Sequence, residues 1–230
     1  MRTKECYIAM NLDTNLNTLH LKAGSSVDPI TRLQAYEKSY VRGVNEDGAF
    51  YLSSFLSASS IILRKQFTNF HKQEQKYINT LRAFKKNFKD ILKNKWGIEI
   101  ALHHVKEEDM RGTPYPSETG IDQKLYDLLA QQTMDRINLA EKVQQKQARK
   151  ARYQARLKSL DVNDPIKPQI RKALTLEQKA IEQSKALLDQ LNFKYYNRKK
   201  PSVQNQVETN KKNLSDYRRL KSAYQRMHQA

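Results

Sequence analysis

The apolar positions of this chain recur mostly at helical spacing. Leu63, Phe67, Phe70, Tyr77, Leu81, Phe84, Phe88 and Ile91 step by four, three or seven residues, one stripe on an α-helix interrupted only by Glu74. The spacing predicts a long helix from about Ser53 to Lys95. Its far side carries Lys65, Lys72, Asn79, Lys86 and Lys93 in a seven-residue repeat, with Lys76, Arg82 and Lys89 beside them.

A second helix is expected over 121–160, opened by a capping signal in which Thr119 precedes Asp122. Ile121, Leu125, Leu128, Ile137, Leu139 and Val143 give its first half a broad apolar side. From Lys142 to Lys158 the same helix carries seven basic residues and no acid. Lys142, Lys146, Arg149, Tyr153 and Arg156 share one face there, with Ala148, Ala151 and Ala155 nearly opposite. The alanines are therefore the expected side of approach for a neighbouring helix, and the cations the expected outer face. A third helix over 165–193 has the seam Ile170, Leu174, Glu177, Ile181, Ser184, Leu188 and Leu191. A fourth over 203–228 has Val203, Val207, Asn210, Leu214, Tyr217, Lys221 and Tyr224. Matching seams and a short link predict that these two fold back as an antiparallel hairpin.

Alternation of polar and apolar residues marks fewer segments. Ile98 to Val105 reads as a strand, Leu16 to Lys22 as an edge strand, and Ala49 to Leu52 as a third candidate. Asp28 and Pro29 look like the cap and first position of a short helix running to Tyr40 and stopping at Gly43. The expected fold class is mainly α: long helices and a C-terminal antiparallel helical hairpin, with a small mixed α+β N-terminal part. The expected division is a 1–110 unit containing the long basic helix 53–95, a connector over 111–120, and a helical region over 121–230.

Composition sharpens this picture mainly through charge. The formal net charge of +18 is unevenly placed: +8 over 61–96, +7 over 142–160 and +8 over 161–230, against zero over 1–60 and −5 over 97–141. So uneven a distribution repels itself and favours a polyanionic partner. The single Cys6 excludes an internal disulfide and a cysteine-based metal site. The longest uncharged run, Gly48 to Leu63, is too short for a transmembrane helix. A soluble, intracellular protein is expected, in the cytoplasm or within a nucleoprotein particle, with no membrane contact.

Candidate chemistry is sparse. His103 and His104, followed by Glu107, Glu108 and Asp109, have metal-ligand chemistry, but neighbouring residues on a strand point to opposite faces, so no metal site is expected. No phosphate-cradling glycine loop, nucleophile elbow or Cys–His pattern occurs, and no catalytic residue or cofactor is assigned. The expectation is a non-enzymatic nucleic-acid-binding protein, RNA or DNA with little sequence preference, serving as a structural component of a larger nucleoprotein assembly. Its expected contacts are Lys65, Lys72, Arg82, Lys86, Lys89 and Lys93 on the first long helix. Lys142, Lys146, Arg149, Arg152, Tyr153 and Arg156 follow on the second, and Tyr195, Arg198, Lys199 and Lys200 in the basic aromatic link. The alternative is a helical scaffold pairing with protein partners or itself through its seams, their register set by Glu74, Glu177, Ser184 and Asn210. A metal-dependent nuclease comes last.

Overall fold

A computed structural model describes residues 4–14, 16–38, 42–44, 50–52, 59–103, 120–161 and 163–193, with the side chains of 34–38, 42–44, 50–52 and 192–193 left aside. Strand β1 (Lys4–Asp13) turns back into β2 (Thr18–Ser26) as an antiparallel hairpin. The turn is closed by the Leu16 amide donating to the Asp13 carboxylate at 3.2 Å and by Asn17 in the left-handed region at φ 49°. Strand β5 (Ser60–Phe67) adds antiparallel to the other side of β1, and β6 (Glu99–Leu102) adds parallel to β2, giving the order β5-β1-β2-β6. The expected edge strand is therefore longer than its alternation suggested and lies inside the sheet. Strand β1 has no alternation because every residue from Cys6 to Leu12 is buried, the mark of a strand covered on both faces.

The covering follows from the pleat. Helix α1 (Pro29–Lys38), which Asp28 caps by accepting from the Ile30 and Thr31 amides, packs Leu33 and Ile30 with Tyr7, Ala9 and Ile61. Helix α2 (Phe70–Trp96) takes the opposite face: Cys6 donates its thiol to the Phe70 carbonyl, and Ser25, the cross-strand partner of Cys6, donates to Glu74 at 2.6 Å. Gly24 is required by a close approach, since a Cβ there would lie 2.7 Å from the Tyr7 ring. Two short strands, β3 (Arg42–Val44) and β4 (Phe50–Leu52), form a separate ribbon, so the Ala49 to Leu52 candidate does not join the main sheet.

The long helix expected over 53–95 begins only at Phe70. Leu63 and Phe67 keep the helical spacing by coincidence. Ile61, Ile62 and Leu63 are a β-favouring run with a buried partner strand in β1, and Asn69 then caps α2 by accepting from the Lys72 amide. From there the seam holds as far as Phe88, with Tyr77, Leu81 and Phe84 buried and Phe88 half-buried; in the last turns Leu92 takes the covered position and Ile91, the expected seam residue, is exposed, and Gly97 ends the helix in the left-handed conformation at φ 65°. Residues 53–58 lie outside the described residues.

Two compact units are present, Met1–Ala130 and Gln131–Leu191. Helix α3 (Gln123–Ser159) contributes its first turns to the first unit. There Asp122 is its cap, accepting from the Leu125 amide while its own amide donates to Thr80, and Tyr126 meets Phe84 and Phe88 of α2. Thr119, the other half of the expected capping signal, is outside the described residues.

In the second unit the remainder of α3 pairs with helix α4 (Lys167–Phe193), capped by Asp164. The seam of α4 is the buried one, with Ile170, Ile181, Ser184 and Leu188 all covered. The fully buried Arg136 donates to the Leu191 carbonyl at 2.7 Å, holding a positive charge on the C-terminal end of α4. Burial pulls its guanidinium down to about 10, so it stays charged at neutral pH. The hairpin expected between 165–193 and 203–228 has its second arm outside the described residues; the described partner of α4 is α3. No helix among the described residues is long and apolar enough to cross a membrane.

Candidate nucleic-acid interface

The periodicity that buries the rings of α2 also aims its charges. With Tyr77, Leu81, Phe84 and Leu92 against the sheet, positions 72, 82, 86, 89 and 93 turn outward. Lys72, Lys86, Lys89 and Lys93 are exposed and Arg82 is half-buried. Arg82, Lys86, Lys89 and Lys93 fall at successive spacings of four, three and four, each close to the next. Asp90 is the one acid among them. Lys72, Lys86 and Lys89 form no ion pair with any described carboxylate, and Lys93 reaches Glu99 only at 3.6 Å between two well-exposed side chains, a contact of little strength. Like charges at these spacings cost a few tenths of a kcal/mol per pair in an isolated helix.

Lys65 is exposed too, but on β5 rather than on a helix, with its ammonium 5.6 Å from the Phe67 ring. Its neighbour Arg64 is tied to Glu5 at 2.7 Å.

The basic stretch of α3 is arranged differently from the expectation. Lys146 donates to Ser184 at 2.7 Å and to the Ala180 carbonyl at 3.1 Å, and Arg149 pairs with Glu177 at 3.2 Å. Lys146, Arg149 and Tyr153 line a shallow groove of about 270 Å³ with Ala173, Leu176, Glu177 and Ala180 of α4. The face expected to look outward is thus turned towards α4, while Ala148, Ala151 and Ala155 are exposed. The reason is the polar breaks in the α4 seam. Glu177 and Ser184 need partners when covered, and long basic side chains supply them while their stems cover apolar surface. Lys142, Arg152 and Arg156 remain exposed. Tyr195, Arg198, Lys199 and Lys200 lie outside the described residues.

One consequence is measurable. Reversing Lys146 and Arg149 together to glutamate is expected to destabilise the α3–α4 pair by about 2–4 kcal/mol, since hydrogen bonds to a charged group contribute about 1.5–3 kcal/mol each where well made. A melting curve followed by circular dichroism reads this; an unchanged midpoint would mean that the pair is held by the apolar seam alone.

Elsewhere, buried polar groups sit on the α1 side of the sheet. His20 Nδ1 and His103 Nε2 are 2.8 Å apart and the Lys22 ammonium donates to the His103 carbonyl at 3.3 Å, all three residues being buried. Burial holds the His20 ring well below the usual histidine value. His103, just past the end of β6, is buried, and His104, Glu107, Glu108 and Asp109 lie outside the described residues. No cluster of three or more His, Cys, Asp or Glu gathers among the described residues. Cys6 is an unreactive thiol, pushed up to about 12 by burial and by the nearby Glu74 charge.

The sequence signal missed for this surface was the role of Glu74. Its break in the seam of α2 is explained by Ser25 of β2, which donates to it. No protein-family model matches the chain, no curated protein matches it in sequence, and no solved structure matches its fold. Activity is therefore read from these surfaces alone.

Proposed function

We propose that this protein binds nucleic acid through the outer face of α2, as a non-enzymatic structural component of a nucleoprotein assembly. One observation carries the reading: Lys86, Lys89 and Lys93 stand exposed together on the last turns of α2, with Asp90 the one acid interspersed. From Lys86 to Lys93 this face runs about 10 Å at 1.5 Å per residue. A nucleic acid presents phosphates over such a length, and each one neutralised releases counterions, so binding is driven by charge and carries little sequence preference. Lys142, Arg152 and Arg156 on α3 supply further exposed charge; Lys146 and Arg149 are assigned to helix pairing instead.

The alternative, a scaffold registered by polar residues in its seams, is weakened by where those residues go. Glu74 bonds to Ser25, Glu177 to Arg149 and Ser184 to Lys146, all within this chain.

Changing Lys86, Lys89 and Lys93 together to glutamate tests the proposal. These side chains are exposed, so the melting temperature should stay within a few degrees of the parent, while affinity for a labelled oligonucleotide at low salt should fall by about 10²-fold or more. Undiminished binding by the folded variant would remove α2 as the interface.

A further inference from the structure

We infer that the groove between α3 and α4 seats an acidic amphipathic helix of a partner protein, at a site separate from the α2 face. Its floor is a second apolar stripe on α4. At about 100° per residue, Ala173, Leu176, Ala180 and Leu187 fall within about 60° of one another, and about 90° round the axis from the buried seam of Ile170, Ile181, Ser184 and Leu188. A single neighbour covers one stripe only. The seam meets α3, while Leu176 and Leu187 stay 60% and 51% exposed beside the groove that Lys146, Arg149 and Tyr153 border from the other helix.

Both rims of this groove are cationic. The two helices run antiparallel, Arg136 meeting Leu191, Lys146 meeting Ala180 and Arg149 meeting Glu177. Arg149 is therefore level with Lys179, and Arg156 with Lys172 about 10 Å further along. Arg156, Lys172 and Lys179 are exposed and form no ion pair with any described carboxylate, and Arg149 keeps 55% of its side chain exposed despite its contact with Glu177. The other acid close by, Glu182, accepts from Gln178 at 2.7 Å on its own helix. Flanking positions of a helix pair usually match opposite charges. Here like charges face each other, and carboxylates entering between them offset the repulsion.

Floor and rims together define the occupant. Alanines at 173 and 180 leave room for a third helix to lie close along the pair, and Leu176 and Leu187, about 16 Å apart, take apolar residues from it at successive turns. Apolar positions at i, i+4, i+7 and i+11 with Asp or Glu on both flanks are the pattern that fits. A nucleic-acid strand would engage the cations through its phosphates and leave two bare leucines without a role.

The probe is a labelled peptide of about 16 residues, long enough to cover the stripe, with leucine in that pattern and glutamate on both flanks. Its controls are a peptide of the same composition with the leucines scrambled and one with lysine in place of glutamate. Fluorescence anisotropy with the full chain at low salt should show the patterned acidic peptide binding at least about tenfold more tightly than the scrambled one, and the lysine peptide not binding. Leu176→Gln should weaken the patterned peptide about tenfold, the loss of one buried leucine contact. Lys172→Glu with Lys179→Glu should weaken it by about as much or more, and keeps the test open if Leu176→Gln misfolds. All three side chains are exposed, so the melting temperature should stay near the parent's. The triple change Lys86→Glu, Lys89→Glu and Lys93→Glu should leave peptide binding as in the parent, which separates this site from the α2 interface. Failure of the patterned peptide to bind, equal binding of the scrambled one, or indifference to Leu176→Gln and to the paired lysine changes would overturn the inference. An oligonucleotide that Leu176→Gln weakens, where the peptide does not bind, would overturn it in favour of nucleic acid in the groove.

Discussion

Phe84→Ala is expected to lower the free energy of unfolding by about 3–5 kcal/mol, the usual cost of removing a fully buried phenylalanine. Phe84 has no exposed surface; its ring stacks on Phe88 at 4.6 Å and meets Tyr126 edge-on at 5.8 Å. It thus joins the middle of α2 to the opening turns of α3. The same contact is reinforced nearby by Asn87 donating to the Tyr126 hydroxyl at 2.9 Å and by the Asp122 amide on Thr80. Alanine would leave a cavity bounded by two aromatic rings that backbone hydrogen bonds hold in place, so relaxation should recover little of the loss. Urea unfolding followed by circular dichroism measures it. A cost below about 1 kcal/mol, with nucleic-acid binding lost, would instead make Phe84 part of a binding platform and its burial incidental.

How much of this was legible in the sequence depends on the kind of signal each element gives. Helices with one covered face announced themselves: the seams of α2, α3 and α4 are visible because a stripe at helical spacing has no other use. Asp28 marked the start of α1 correctly because capping is local chemistry. Strand β1 was invisible for a physical reason. Helices cover both its faces, so Cys6 to Leu12 has no polar side to alternate with, and a short apolar run does not choose between strand and helix. The start of α2 was misplaced because Leu63 and Phe67 fit the helical stripe while pairing with β1 as a strand. Periodicity is a projection of one chain and does not register a neighbouring strand.

The candidate surface was legible in part for the same reason. On α2 the exposed Lys86, Lys89 and Lys93 lie opposite the seam. On α3 the sign of the inference reversed. Alanines at one side and cations at the other looked like a packing face and an outer face, but Glu177 and Ser184 on α4 require partners, and Lys146 and Arg149 are the side chains that reach them. Sequence alone holds both halves of that match on separate helices and does not say that they meet. The pairing of His20 with His103 is of the same kind, two residues 83 positions apart brought together by a parallel strand pair.

The reading as a whole stands on electrostatic binding by the outer face of α2, and salt tests it most directly. If about six basic residues contact phosphates, affinity for an oligonucleotide should fall about 10³-fold between roughly 50 and 200 mM salt, as counterion release demands. The variant with glutamate at positions 86, 89 and 93 should show both weaker binding and a shallower slope. Fluorescence anisotropy with a labelled strand over that salt range supplies both numbers. A steep dependence that flattens in the variant is the predicted result; a flat dependence in the parent, or a slope the variant leaves unchanged, would contradict it.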